Sequence, residues 1–344
     1  MSLDRYNALA LQTRCDTVNR LPDAEVRSAM LASIARVDDQ ISSAKAFIGS
    51  DLRLVVLPEY FMTGYPLGDT IEGWAEKAAI SVGGEEYAAL AKAAEANDVY
   101  LCGNAYETDE HFPGLYFQTC FIAAPTGEII LRYRRLISMF APTPHDVWDK
   151  YVDIYGLDGV FPVVDTELGR LACCASEEIL FPEITRAHAL RGAEVILHPT
   201  GEVASPDLTP KDIAKRARAL ENLVYVVSAN TGGIYNAGMP PASTDRMSKI
   251  VDYKGNVMCN ASGGETMAAN ATLDIAALRA YRQRPGMPNY FARQRLELFS
   301  AAYADSIYPP NTLLNGGKHI VPERAHFMQR QLEAIARLEK KTTI

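Results

Sequence analysis

The stretch Leu171-Ala-Cys-Cys-Ala-Ser-Glu-Glu-Ile-Leu-Phe-Pro-Glu183 decides how the rest of the chain is read. It reads as a short buried strand (Leu171 to Ala175), a sharp turn at Ser176 and a helix entry at Phe181-Pro182. A strand that breaks abruptly into a helix holds one side chain clear of the sheet, where backbone N–H groups can face a developing oxyanion. A nucleophile is expected at such a turn. The side chain offered here is the hydroxyl of Ser176.

Around this stretch strands and helices alternate. Downstream lie a helix over 182–191, a strand over 194–198, a helix over 210–222 and a strand over 223–229; a strand from Val160 to Asp165 precedes the turn at Gly169. Upstream, Tyr6 to Gln12 reads as a strand. Residues 24–48 carry Val26, Met30, Ile34, Val37, Ile41, Ala44 and Phe47 at helical spacing. A β-rich run from Leu52 to Leu57, a helix over 84–96 and a strand from Val99 to Gly103 follow. Phe117–Ala124 and Glu128–Tyr133 form a hairpin across Pro125-Thr-Gly127. Segment 138–159 reads as loop. The alternation, with mixed hairpins, predicts a layered α/β protein with helices packed on sheets. One domain is expected over 1–284. The extension 285–344 opens Pro-Gly-Met-Pro and carries a helix over 322–340; such an extension is expected at an oligomer interface.

Composition narrows the function. A net charge of −8 over 344 residues, with no basic run, argues against nucleic-acid or anionic-membrane partners. No apolar run approaches the roughly 18–20 residues of a membrane span. The start of the chain shows no secretory pattern. Cysteines 15, 102, 120, 173, 174 and 259 form no CxxC and no metal-ligand spacing with the histidines. A cytoplasmic protein with reduced core cysteines and no metal or other cofactor is the expectation.

Four fragments stand in register: Pro58-Glu59-x-x-x-x-Gly64-Tyr65-Pro66, Tyr133-Arg134-Arg135, the elbow with Phe181-Pro182-Glu183, and Arg218-Ala-Leu-Glu221-Asn222. Together they resemble the nitrilase, or carbon–nitrogen hydrolase, superfamily over residues 6–284. The resemblance implies an αββα sandwich that pairs into a four-layer αββα–αββα dimer or a higher homo-oligomer. It implies a small amide, nitrile or carboxylate as ligand. It also implies a catalytic Glu at Glu59, the family's Lys at Arg135 and the family's Cys at Ser176. Glu177, through its N–H, and Glu178 are implied as oxyanion and supporting groups, with Tyr65 and Phe181 against the substrate. The acid that the family carries after its Lys has no clear match, Asp146 being a poor one.

Two of three catalytic identities are therefore changed. A thiol ionises near ~8.5 and is readily activated. An alkanol needs an aimed general base throughout attack, and arginine, with a pKa above ~12, cannot shuttle a proton. Two readings follow: a hydrolase of small C–N bonds working weakly through Glu59, Arg135 and Ser176, or an inactive homologue that binds a ligand or regulates a partner. Cys174 as a relocated nucleophile is the lesser alternative, since a strand-interior cysteine is usually inert. A trapping substitution at 176 runs against Arg135, because one such change would leave the lysine in place.

Overall fold

The computed structural model describes residues 3–342. Two six-stranded sheets pack face to face. In the first, the order is Asn270–Asp274, Arg5–Ala10, Leu52–Val56, Tyr100–Thr108, Tyr116–Ala123, Ile129–Arg134. In the second it is Val257–Asn260, Lys249–Val251, Tyr225–Ala229, Val195–Pro199, Gly169–Cys173, Val164–Thr166. The middle three strands of each sheet run parallel and the flanking strands antiparallel. Parallel strands covered on both faces are continuous apolar runs, which is why Leu54-Val-Val56 and Val195-Ile-Leu197 are wholly buried.

Helices Asp23–Ile48 and Glu85–Asn97 cover the first sheet. Helix Pro210–Asn222, with Pro182–Leu190 beside it, covers the second. The layers are thus α, β, β, α, as the alternation implied. All but one of the residues spaced along Asp23–Ile48 as its core face are buried. Phe47 is the exception, 79% exposed in the last turn of the helix.

Other differences have local causes. Segment 138–159 contains a 3-10 turn, Pro144–Val147, and a helix, Trp148–Tyr155, whose aromatic residues hide its helical propensity. The strand expected from Val160 is only Val164–Thr166, and the elbow strand ends at Cys173. Helices Ile71–Ala78 and Ile275–Gln283 and the strands between 249 and 274 lie outside the sequence expectation; the strands are only three to five residues long. The C-terminal segment ends in helix Ala325–Thr342 and returns to the body of its own chain. Asn311 N–H donates to His145 O (3.0 Å), Leu313 N–H to Asp146 O (2.9 Å) and Arg324 Nε to Asp69 O (2.8 Å). Leu313 and Phe327 belong to the buried core.

Helix Pro182–Leu190 carries an unusual core residue. His188 is fully buried between Tyr133 (ring centroids 5.1 Å apart) and Phe161 (5.6 Å), and neither ring nitrogen has a hydrogen-bond partner among the described residues. Burial, reinforced by the Arg191 charge, pulls its pKa down to about 3. The folded state therefore excludes a proton that the unfolded chain accepts below its ordinary 6.5. Stability from this residue is present above that value and drains as pH falls, by up to about 1.4 kcal/mol per pH unit. His188→Phe is expected to flatten the acid limb of a Tm-versus-pH curve; an unchanged limb would contradict the assignment.

Candidate active site

The site begins where strand Gly169–Cys173 runs out. Cys174 N–H still donates to Leu197 O (2.9 Å), after which Ser176 turns with φ 49°. A non-glycine residue in this left-handed region is strained by on the order of 1–3 kcal/mol and persists only where surrounding contacts hold it. Those contacts centre on Glu178, which follows in the 3-10 turn Ser176–Leu180. Its fully buried carboxylate accepts from Tyr133 Oη (2.8 Å), Leu136 N–H (2.7 Å), Ile137 N–H (3.1 Å) and Ala175 N–H (3.2 Å). Burial pushes the Glu178 carboxyl up to about 7 against the pull of Arg135 and of these donors. The elbow of the second sheet is thereby pinned to the strand end of the first.

His198 supports the turn from behind. Its Nε2 lies 2.7 Å from Ser176 O and its Nδ1 2.9 Å from Ser228 Oγ. A carbonyl only accepts, so Nε2 carries the proton and Nδ1 accepts from the serine. Burial, with the Lys215 charge nearby, holds the imidazole neutral, well below its usual pKa.

Glu59 lies just past strand Leu52–Val56, its side chain 1% exposed and its N–H donating to Thr200 O (3.3 Å). Gln118 Nε2 donates to Glu59 Oε1, and Arg135 Nη1 approaches that oxygen at 3.5 Å. A Cβ built on Gly201 would lie 2.9 Å from Glu59 Oε2, so a side chain there would push the carboxylate out of its present position. Arg135 spreads its fork: Nη1 to Gln118 Oε1 (2.7 Å), Nε to Ile137 O (2.7 Å) and Nη2 to Glu177. Surrounding anions and the Tyr60 hydroxyl outweigh burial and raise its pKa further. Ser176 Oγ has one protein partner among the described residues, Lys211 Nζ at 3.0 Å.

Glu59, Tyr65, Arg135, Ser176 and Glu177 line one cavity of about 440 Å³, together with Tyr60, Gln118, Gly201, Lys211 and, from the C-terminal segment, Arg324. Two expected site residues stand outside it. Phe181 is 37% exposed at the cap of the helix begun by Pro182 and does not line this cavity. Glu178 supports the elbow from behind rather than facing the cavity. Cys174 is fully buried, its thiol pushed well up by burial and by Glu178, and does not reach the cavity. Asp146 ties the C-terminal segment down, accepting from Thr143 Oγ1 (2.8 Å) and Thr312 Oγ1 (2.5 Å). Arg218 pairs with Glu221 (2.7 Å) and holds Ile179 O (3.0 Å), a structural role. Sequence reading missed Gln118, His198 and Lys211. Only Lys211 left a signal: a cation in the first turn of a helix opposes the helix dipole. Among the described residues no group of His, Cys, Asp or Glu side chains is arranged to hold a metal, and no helix is long and apolar enough to cross a membrane.

The family model for carbon-nitrogen hydrolase matches residues 27–283. A formamidase of Helicobacter acinonychis is 32% identical over 187 residues, 54% of this chain and 52% of that protein. The omega-amidase NIT2 of Mus musculus is 24% identical over 239 residues, 67% of this chain and 80% of that one. The chain thus spans about half the length of the formamidase it matches. Among solved structures, Saccharomyces cerevisiae Nit3, of the nitrilase superfamily, superposes with TM-score 0.63 at 20% identity, covering 81% of this chain and 94% of that one. An amidase from Nesterenkonia sp. gives 0.59 at 20% identity, covering 88% and 97%. These likenesses show a shared fold.

The elbow depends on Glu178. Glu178→Leu leaves three buried amides and a hydroxyl without an acceptor, at a cost of about 3 kcal/mol or more. A large drop in Tm is expected; an unchanged Tm would show that the carboxylate does not hold the turn.

Proposed function

The chain belongs to the carbon–nitrogen hydrolase family, and within it we propose that this protein slowly hydrolyses a small, non-peptide C–N bond through Ser176. The supporting observation is that Ser176 Oγ, presented by a strained turn, opens on the same cavity as a buried carboxylate and a buried guanidinium. A small amide or nitrile suits a cavity of about 440 Å³. In this reading Ser176 attacks the substrate carbon, Arg135 and the Glu177 N–H receive the negative charge that develops on the carbonyl oxygen, and Glu59 faces the leaving group. The hydroxyl makes the covalent step slower than a thiolate would.

A second reading, a ligand-binding or regulatory subunit without turnover, draws on a different observation. Arg135 is already engaged by Glu59, Gln118 and Glu177, so the resting charges satisfy one another. In either case we place the protein in the cytoplasm, working without a cofactor, as a homodimer or higher homo-oligomer. Exposed Phe181, Leu190, Ile213 and Leu220 on two adjacent helices, and Leu298, Tyr303 and Leu332 in the extension 285–344, support that assembly.

Ammonia release over a panel of small amides and nitriles tests the reading. The wild type is expected to release ammonia and Ser176→Ala to fall to background. Equal signals from both would refute serine-dependent hydrolysis.

A further inference from the structure

Ser176 needs a proton acceptor, and the structure makes no contact between its hydroxyl and Glu59. Glu59 Oε1 is taken up by Gln118 and Arg135, while Oε2 is packed against Gly201. The group that reaches Ser176 Oγ comes from the other side of the cavity. Lys211, in the first turn of helix Pro210–Asn222, places Nζ 3.0 Å from Ser176 Oγ, 3.1 Å from Gly201 O and 3.4 Å from Thr200 Oγ1. Among the described residues no carboxylate lies within ion-pairing distance of this nitrogen. In that respect it differs from its helix neighbour Lys215, which is paired with Glu202.

We propose that Lys211 and Ser176 form a catalytic serine–lysine pair, with Lys211 as the proton carrier that this chain uses for its hydroxyl nucleophile. The inference rests on the hydrolytic reading above and names the base that reading lacks. At rest Nζ donates to Ser176 Oγ, Gly201 O and Thr200 Oγ1; once one proton is given up, two hydrogens remain for Gly201 O and Thr200 Oγ1 and the lone pair faces the Ser176 O–H. Serine–lysine arrangements recur as variants of the hydrolase triad on unrelated folds.

The chemistry balances with the residues present. As Ser176 Oγ bonds to the amide carbon, its proton passes to the Lys211 amine and the carbonyl π pair moves to oxygen beside Arg135. As the C–N bond breaks, the Lys211 ammonium gives that proton to the leaving nitrogen. Ammonia departs from a primary amide, leaving an acyl ester on Ser176. Water then attacks the ester, its proton travels through Lys211 to the departing Ser176 Oγ, and the carboxylic acid is released.

The test does not require the natural substrate. A small alkyl fluorophosphonate phosphonylates an activated serine with loss of fluoride, and intact-mass and peptide analysis locate the adduct. Labelling rates are measured between pH 6 and 10 for the wild type, Ser176→Ala, Lys211→Ala, Lys211→Arg and Glu59→Gln. The charged groups around Lys211 that bear on this profile are Glu59, Arg135 and Glu177 in the cavity and Lys215 on its own helix, with the neutral, titratable His198 behind the elbow. Wild type is expected to be labelled at Ser176 at a rate that rises with pH. Lys211→Ala and Lys211→Arg should each slow labelling by about 100-fold or more, the usual worth of a general base. Added ethylamine should restore much of the rate to Lys211→Ala, which a merely structural lysine would not allow.

No label at Ser176 in the wild type would overturn the pair. So would Lys211→Arg labelling as fast as wild type, or a loss confined to Glu59→Gln. Lys211-dependent labelling without ammonia release from any amide would keep the pair and remove the amide-hydrolase reading. Ammonia release undiminished in Lys211→Ala would do the reverse.

Discussion

The Glu178 carboxylate is the interaction on which the site depends. Two sheets packed face to face have no covalent reason to hold their strand ends in register, and apolar packing between them is not directional. Glu178 supplies direction: four donors converge on it, two of them the successive amides of Leu136 and Ile137 beyond the first sheet and one the Ala175 amide of the second. Through that one buried group the elbow carrying Ser176 and the strand end carrying Arg135 become a single rigid piece. The strain of the Ser176 backbone is sustained because His198 holds its carbonyl from the other side.

On this frame the charges are distributed differently from what the motif alone implies. Arginine at 135 has a planar fork that a lysine lacks, and here the fork is spent on Gln118, Glu59, Glu177 and the Ile137 carbonyl. It acts as a hub that fixes the cavity wall. The amino group that reaches Ser176 Oγ comes instead from Lys211, on the helix that covers the second sheet. A hydroxyl at 176, an arginine at 135 and a lysine against the hydroxyl thus meet at one cavity.

Much of this was legible beforehand, for physical reasons. The start of the helix over 210–222 was readable because Thr209 caps it and Pro210 opens it. Glu59, Arg135 and Ser176 were singled out by the family resemblance, and the structure brings all three to one cavity. Phe181 lies outside the cavity lining; a motif specifies position along the chain but not which way a helix-capping residue turns. Gln118 and His198 were invisible: polar residues inside apolar strands look like interruptions until the partner strand is known. Lys211 was overlooked because its contact with Ser176 spans 35 positions and depends on the loop 200–209, whose path no local pattern encodes. Helix Trp148–Tyr155 escaped for the opposite reason, its helical form being imposed by the packing of Tyr151 under Phe112 and Phe117 rather than by propensity.

The central claim is that Ser176 is the reacting atom of the cavity walled by Glu59, Arg135 and Lys211. Its most direct test is a crystal structure of the protein soaked with a slowly hydrolysed activated amide or ester. The account predicts electron density continuous from Ser176 Oγ to the acyl carbon, with the carbonyl oxygen turned toward Arg135 and Lys211 Nζ beside the ester oxygen. An acyl group on another side chain would contradict it, as would an intact ligand lodged away from Ser176 or a cavity left empty behind the Arg135–Glu177 pair.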